Sequence, residues 1–101
     1  MNRKIDAIKI KQDRGRLMVH LNLFYDKKVF LDSLYRTLCN DPLYSRTLFQ
    51  RDIAYLNQKR YIDLSRNILD DSGDWWSQMC LLTAEGKEIA EGTKTDPALE
   101  I

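Results

Sequence analysis

The sequence predicts an α+β domain in which three helices precede a two-stranded hairpin and a short closing helix. Three observations predict it. Apolar residues recur at helical spacing in three consecutive stretches, two short apolar segments flank a turn-rich run, and a capped final segment follows. At 101 residues the chain fits one domain, and it carries no internal repeat, low-complexity stretch or Pro/Gly/Ser linker that would divide it.

The first helix runs from about Lys4 to Tyr25, where Leu17, Met18, Leu21 and Phe24 or Tyr25 keep helical spacing. Gly15 weakens its middle and allows two segments in place of one. The second covers Val29 to Leu38, with Phe30 or Leu31, Leu34 and Leu38 as its apolar stripe. Asn40-Asp41-Pro42 ends it, because the proline ring disfavours helical geometry at Asp41. The third helix starts after Ser45, whose hydroxyl can accept from the unpaired N–H groups of a first turn. Phe49, Ile53 and Leu56 fall at i, i+4 and i+7, so they share one core-facing side.

Tyr61-Ile62-Asp63-Leu64 then alternates like a strand. Asp70-Asp71-Ser72-Gly73-Asp74 is a turn signal, and Trp75 to Leu82 reads as the returning strand. Thr83 caps a short helix, Ala84 to Glu91, which stops at Gly92. Residues 1–92 then form the domain and 93–101, with Pro97, an extended tail. A three-helix core with a helix-turn-helix, a hairpin wing and a short C-terminal helix is the order of a winged helix. In that order the third helix packs its inner face and leaves its outer face free.

Composition narrows the function. Hydrophobic residues make up 44% and charged residues 31%, enough to fill a modest core under a polar surface. No apolar run approaches the roughly 18 residues that span a bilayer. The start, Met1 to Asp6, leads into Ile8-Lys9-Ile10-Lys11 and not into an apolar secretory segment, so a cytoplasmic protein without a membrane partner is expected. Cys39 and Cys80 are far apart and belong to no C-x-x-C pair, and the only other soft ligand, His20, lies inside a helical pattern. A metal would need about four close ligands, so reduced thiols are expected, with one disulfide as the alternative. No G-x-S-x-G, H-E-x-x-H or Gly-rich phosphate loop occurs, and Asp70-Asp71 sits in a turn without an apolar pocket. The expectation is no enzyme, no cofactor, no metal and no small-molecule substrate.

The net charge of +1 hides an asymmetry. Residues 1–28 carry eight cations against Asp6, Asp13 and Asp26, a net of +5, whereas residues 63–101 carry Arg66, Lys87 and Lys94 against nine carboxylates, a net of −6. Such a field can steer an anion to one end or pair two copies head to tail.

Ser45-Arg46-Thr47-Leu48-Phe49-Gln50-Arg51-Asp52-Ile53-Ala54-Tyr55-Leu56, followed by Lys59-Arg60-Tyr61-Ile62, resembles the S-R-x-x-x-x-x-D-L-A-W-L-x-x-x-G-L-V signature of a small protein family of Mu-like phages and prophages. Ile10-Lys11-Gln12-Asp13-Arg14 is similar to that family's K-Q-D-R-R, and Leu82 to Gly92 to its L-T-x-x-G-x-x-x-A-x-G close. These anchors frame about 80 of the 101 residues, with poor matches between them. The resemblance implies a winged-helix-like fold and a phage origin, hence a bacterial host cell; it implies no established activity. Two departures stand out. Arg60 replaces the glycine that ends the third helix, so that cap must form differently, and the tail Thr95 to Glu100 is acidic where relatives tend to be basic.

Candidate sites follow from the predicted faces. With Phe49, Ile53 and Leu56 inward, the third helix presents Thr47, Gln50, Arg51, Ala54 and Gln58, flanked by Arg46. Arg and Gln can bond purine edges, and Thr and Ala can meet a thymine methyl. Lys9, Lys11, Arg14 and Arg66 are candidates for phosphate, with Asn67 beside Arg66 and Arg3, Lys4 and Arg16 adding basic charge to the first segment. Three carboxylates at the wing tip oppose such contacts. Strand alternation puts Trp75, Met79 and Leu81 on one side and Trp76, Cys80 and Leu82 on the other, so the side away from the helices predicts a homodimer, a partner interface or a C-terminal cover. Two functions remain: a DNA-binding regulatory or accessory protein acting on double-stranded DNA, and an adaptor joining a phage or host protein assembly without DNA.

Overall fold

Four α-helices and a small antiparallel sheet make up the described part of the chain: α1 (Arg3–Asn22), β1 (Val29–Phe30), α2 (Leu31–Leu38), α3 (Arg46–Gln58), β2 (Ile62–Leu64), β3 (Met79–Leu82) and α4 (Ala84–Glu91). This computed structural model describes residues 3–38, 40–66 and 75–101, with side chains for all but residues 3–6 and 76. The turn expected at Asp70 to Asp74, with Asn67 and Cys39, therefore lies outside the described residues, as do the side chains of Arg3, Lys4 and Trp76.

The three strands pair antiparallel in the order β1-β3-β2. Val29 faces Cys80 and Phe30 faces Met79 on one side, and Ile62, Asp63 and Leu64 face Leu82, Leu81 and Cys80 on the other. Strand β1 corrects the expected start of the second helix. Val29 and Phe30, β-branched and aromatic, take strand geometry against β3, and the helix begins at Leu31, whose N–H donates to the carbonyl of Gln78 at 3.0 Å.

The returning strand is likewise shorter than expected. Trp75–Ser77 forms a 3₁₀ turn, and the strand covers only Met79–Leu82. The turn resets the side-chain phase, so Trp75 does not share a face with Met79 and Leu81. It is buried, with its ring 5.9 Å from that of Phe49. Buried Gln78 stitches the turn to the hairpin base, its amide donating to the Trp75 carbonyl at 2.6 Å and its Oε1 accepting from the Arg66 N–H at 3.1 Å.

Helix α1 runs unbroken through Gly15. A Cβ there would lie 1.6 Å from the carbonyl oxygen of Glu100, so the glycine opens a track for the chain end to cross the helix. Residues 93–101 carry no helix or strand and pack back onto the domain: Leu99 is buried, and the Glu100 N–H donates to the Lys11 carbonyl at 3.0 Å. Helix α4 has the expected ends, with the Thr83 hydroxyl accepting from the Gly86 N–H at 3.0 Å and Gly92 closing it at φ 82°. The core joins Leu17, Met18 and Leu21 of α1 to Leu31 and Leu34 of α2, Phe49, Ile53 and Leu56 of α3, the inner side of the sheet, Ile89 of α4 and Leu99.

Candidate nucleic-acid interface

Helix α3 is set by local chemistry. Ser45 holds an extended φ of −124° and its Oγ accepts from the Leu48 N–H at 3.3 Å, the cap expected there. Phe49, Ile53 and Leu56 are 0% exposed, which fixes the rotation of the helix. At the other end the Arg60 N–H reaches the Asn57 carbonyl and the Tyr61 N–H the Leu56 carbonyl, both at 3.0 Å. These two bonds define a Schellman cap with Arg60 in its left-handed position at φ 63°. The expectation that this cap forms differently without glycine is corrected: arginine adopts the glycine conformation.

The outer side of α3 brings together part of the expected set. Arg46, Thr47 and Gln58 are exposed, and Gln50 and Ala54 are half-buried beside them. Arg46 lies 6.0 Å from the Tyr35 ring centre. Arg51 does not join this surface. Its Nε and Nη2 donate to the two oxygens of Asp52 at 2.9 and 3.1 Å, and Nη2 lies 3.8 Å from Oδ2 of Asp13 on α1. A helical projection fixes where Cβ points, but this guanidinium folds back to the carboxylates.

Two of the four phosphate candidates are also engaged. Arg14 places Nε 3.3 Å from Asp52, donates Nη1 to the Ala98 carbonyl at 3.2 Å, and stacks 3.9 Å over the Tyr55 ring. Lys9 bonds Asp13 at 2.9 Å and also bonds Asp41. Burial alone would lower the Lys9 pKa, but its bonds to Asp41 and Asp13 outweigh that and raise it. Asp41 is held below the usual carboxylate range, by Lys9 first and then by the Leu43 N–H. Lys11 and Arg66 remain exposed.

The centre of this network escaped the sequence reading. Asp52 is fully buried, held by Arg51, Arg14 and the Tyr44 hydroxyl, which donates at 2.9 Å. Burial first, then Asp52, drives the Tyr44 pKa upward. Asp13, also buried, accepts from Lys9 and Arg16 through Oδ1, while its Oδ2 has no hydrogen bond. A usable signal was present: position 52 lies on the core stripe between Phe49 and Leu56, and a carboxylate there demands a cation. Asp13-Arg14 of α1 and Arg51-Asp52 of α3 thus meet across the two helices as a structural ion network.

Met79 and Leu81 are half-buried on the outer side of the sheet, over a shallow pocket of about 210 Å³ bounded by Lys28 and Asp63. Cys80 faces inward, its thiol pushed up to about 12 by burial. Among the described residues no group of three His, Cys, Asp or Glu side chains is placed to hold a metal, and no helix is long and apolar enough to cross a membrane. Comparison of the chain with protein-family models, curated proteins and solved structures found no match.

Proposed function

We propose that the chain is a winged-helix DNA-binding protein of phage or prophage origin, with a regulatory or accessory role. One observation carries this reading. Helix α3 is anchored through three fully buried residues while Arg46, Thr47 and Gln58 stay exposed along its far side, the presentation a recognition helix needs in a major groove. The order of elements supports it, with β1 pairing on β3 as a third strand beside the expected two and leading directly into α2. Base edges fall to Gln50, Thr47, Ala54 and Gln58, and phosphate to Arg46, Lys11 and Arg66. Arg51 becomes a positioning residue that fixes α3 on α1.

The test is titration of mixed-sequence and phage-genome duplexes at two salt concentrations. With three phosphate-contacting cations, log affinity should fall against log salt with a slope of about −3. Gln50→Ala should relax preference at one base position and cost about 1–3 kcal/mol. Binding no tighter than about 10⁻⁴ M in both pools would sink the reading. A second function, the adaptor for a phage or host protein, is favoured by one specific observation. Lys9, Arg14 and Arg51, three of the cations expected to meet DNA, spend their charge on carboxylates of the chain itself. A negative titration turns the question to protein partners.

A further inference from the structure

The end of α3 holds a residue that its own backbone does not favour. Arg60 sits at φ 63°, the left-handed region where a Cβ crowds the following carbonyl and glycine rests without cost. That conformation is imposed from both sides. The Arg60 N–H closes the α3 cap on the Asn57 carbonyl at 3.0 Å, and its carbonyl accepts from the Thr83 hydroxyl at 2.8 Å. Neither bond uses the side chain, so glycine would make both.

The guanidinium has no task inside the fold. Arg14, Arg16, Arg36 and Arg51 each bind a carboxylate. The Arg60 side chain is exposed, and among the described residues it has no hydrogen-bond, ion-pair or ring partner. Nor is it needed to oppose the negative end of the helix dipole, because Lys59 already places a cation at the C-cap. A local penalty, a fixed backbone and a charge without an internal partner together point outward, to an anion.

We propose that Arg60 binds a DNA phosphate and anchors the far end of α3 on the duplex backbone, an inference that rests on the DNA-binding reading. Placement selects this anion. From Arg46 to Gln58 the helix is about 20 Å long, at about 1.5 Å per residue. A major groove is about 12 Å wide, so the ends of such a helix meet the phosphate ridges while its middle meets base edges. Arg46 stands at the first end and Arg60 just past the second, with Thr47, Gln50, Ala54 and Gln58 between them in the chain. Two cations so placed hold the helix across the groove and leave the neutral side chains to read bases.

Urea unfolding and duplex titration at two salt concentrations, run on the full chain and on Arg60→Gly, test the proposal. The two readouts should move in opposite directions. Arg60→Gly should raise the urea midpoint and yet weaken binding about tenfold, alike for mixed-sequence and phage-genome duplexes. A fourth phosphate contact beside Arg46, Lys11 and Arg66 makes the slope of log affinity against log salt about −4, and Arg60→Gly should return it to about −3. Arg60→Asn, which tolerates left-handed geometry without a charge, should repeat the binding loss. Lys28→Gln removes an exposed cation just ahead of β1, at the opposite edge of the sheet from β2, and should leave affinity and slope near the parent values. An Arg60→Gly variant with the parent's affinity and slope overturns the inference and leaves the DNA-binding reading standing. So does an equal loss from Lys28→Gln, which would reduce Arg60 to a share of the overall charge. A parent chain that binds neither pool ends both at once.

Discussion

Two buried aspartates do the same mechanical job by different chemistry. Asp52 fastens α3 to α1 through the Arg14 guanidinium, and is also held by Arg51 beside it on α3 and by the Tyr44 hydroxyl ahead of that helix. Asp96 fastens the chain end to α3 and β2's entry through hydroxyls alone: Tyr55 donates at 2.6 Å, Tyr61 at 2.7 Å, and the Ala98 N–H closes a turn at 2.8 Å. The first is a salt bridge whose removal strands two cations. The second is a neutral-donor cage whose removal strands two hydroxyls and one N–H but no cation. The difference separates what holds the core from what holds the strap across it.

The comparison breaks most visibly at Asp52. Asp52→Ala should cost about 3–5 kcal/mol, because it leaves Arg14 and Arg51 partly buried without their counter-charge. Urea unfolding should register it as a global loss; a cost below about 1 kcal/mol would show that the cations simply swing to solvent. Asp96→Ala should cost less, about 1–3 kcal/mol, and mostly locally. Hydrogen exchange at the Glu100 amide should speed up well before the amides of α3 respond. Equal acceleration in both places would merge the two fastenings into one.

Acid sharpens the contrast. Burial pushes the Asp96 carboxyl upward, but bonds from Tyr55, the Ala98 N–H and Tyr61 outweigh it and leave the folded pKa below 3.8. A depressed folded pKa means that the stabilisation is present above about pH 3.8 and fades as pH falls through the folded value. Protection of the Glu100 amide should therefore drop in strong acid, and Asp96→Asn should remove that titration step. The smallest effect lies at Arg60. Its left-handed φ is costly for any side chain with a Cβ, so Arg60→Gly should raise stability by about 1 kcal/mol, read from the urea midpoint.

Features set by neighbouring residues were legible in the sequence. The Ser45 and Thr83 caps, the stop at Gly92 and the Phe49, Ile53 and Leu56 stripe all depend on contacts within a turn or two, and each stands where the pattern placed it. Features set by distant partners were not. Strand β1 is two residues long, and its register comes entirely from β3. Trp75 read as strand because its neighbours alternate, yet its place is decided by packing on Phe49. Arg51 read as an outward reader because Asp13, on another helix, leaves no trace in a helical projection. Gly15 read as a weak point; its meaning lies with Glu100, 85 positions on.

The central strand of the sheet is also the last of the three to be made. Until Met79 leaves the ribosome neither β1 nor β2 has a neighbour, and at about 5–20 residues per second the wait after Phe30 is roughly 2–10 s. In that interval the nascent chain holds helices with half-covered apolar faces and two unpaired strand segments. A chain halted before Met79 therefore has no sheet at all and should be cut by protease as an open polypeptide. β3, four residues long, is the step that turns a string of helices into a folded domain.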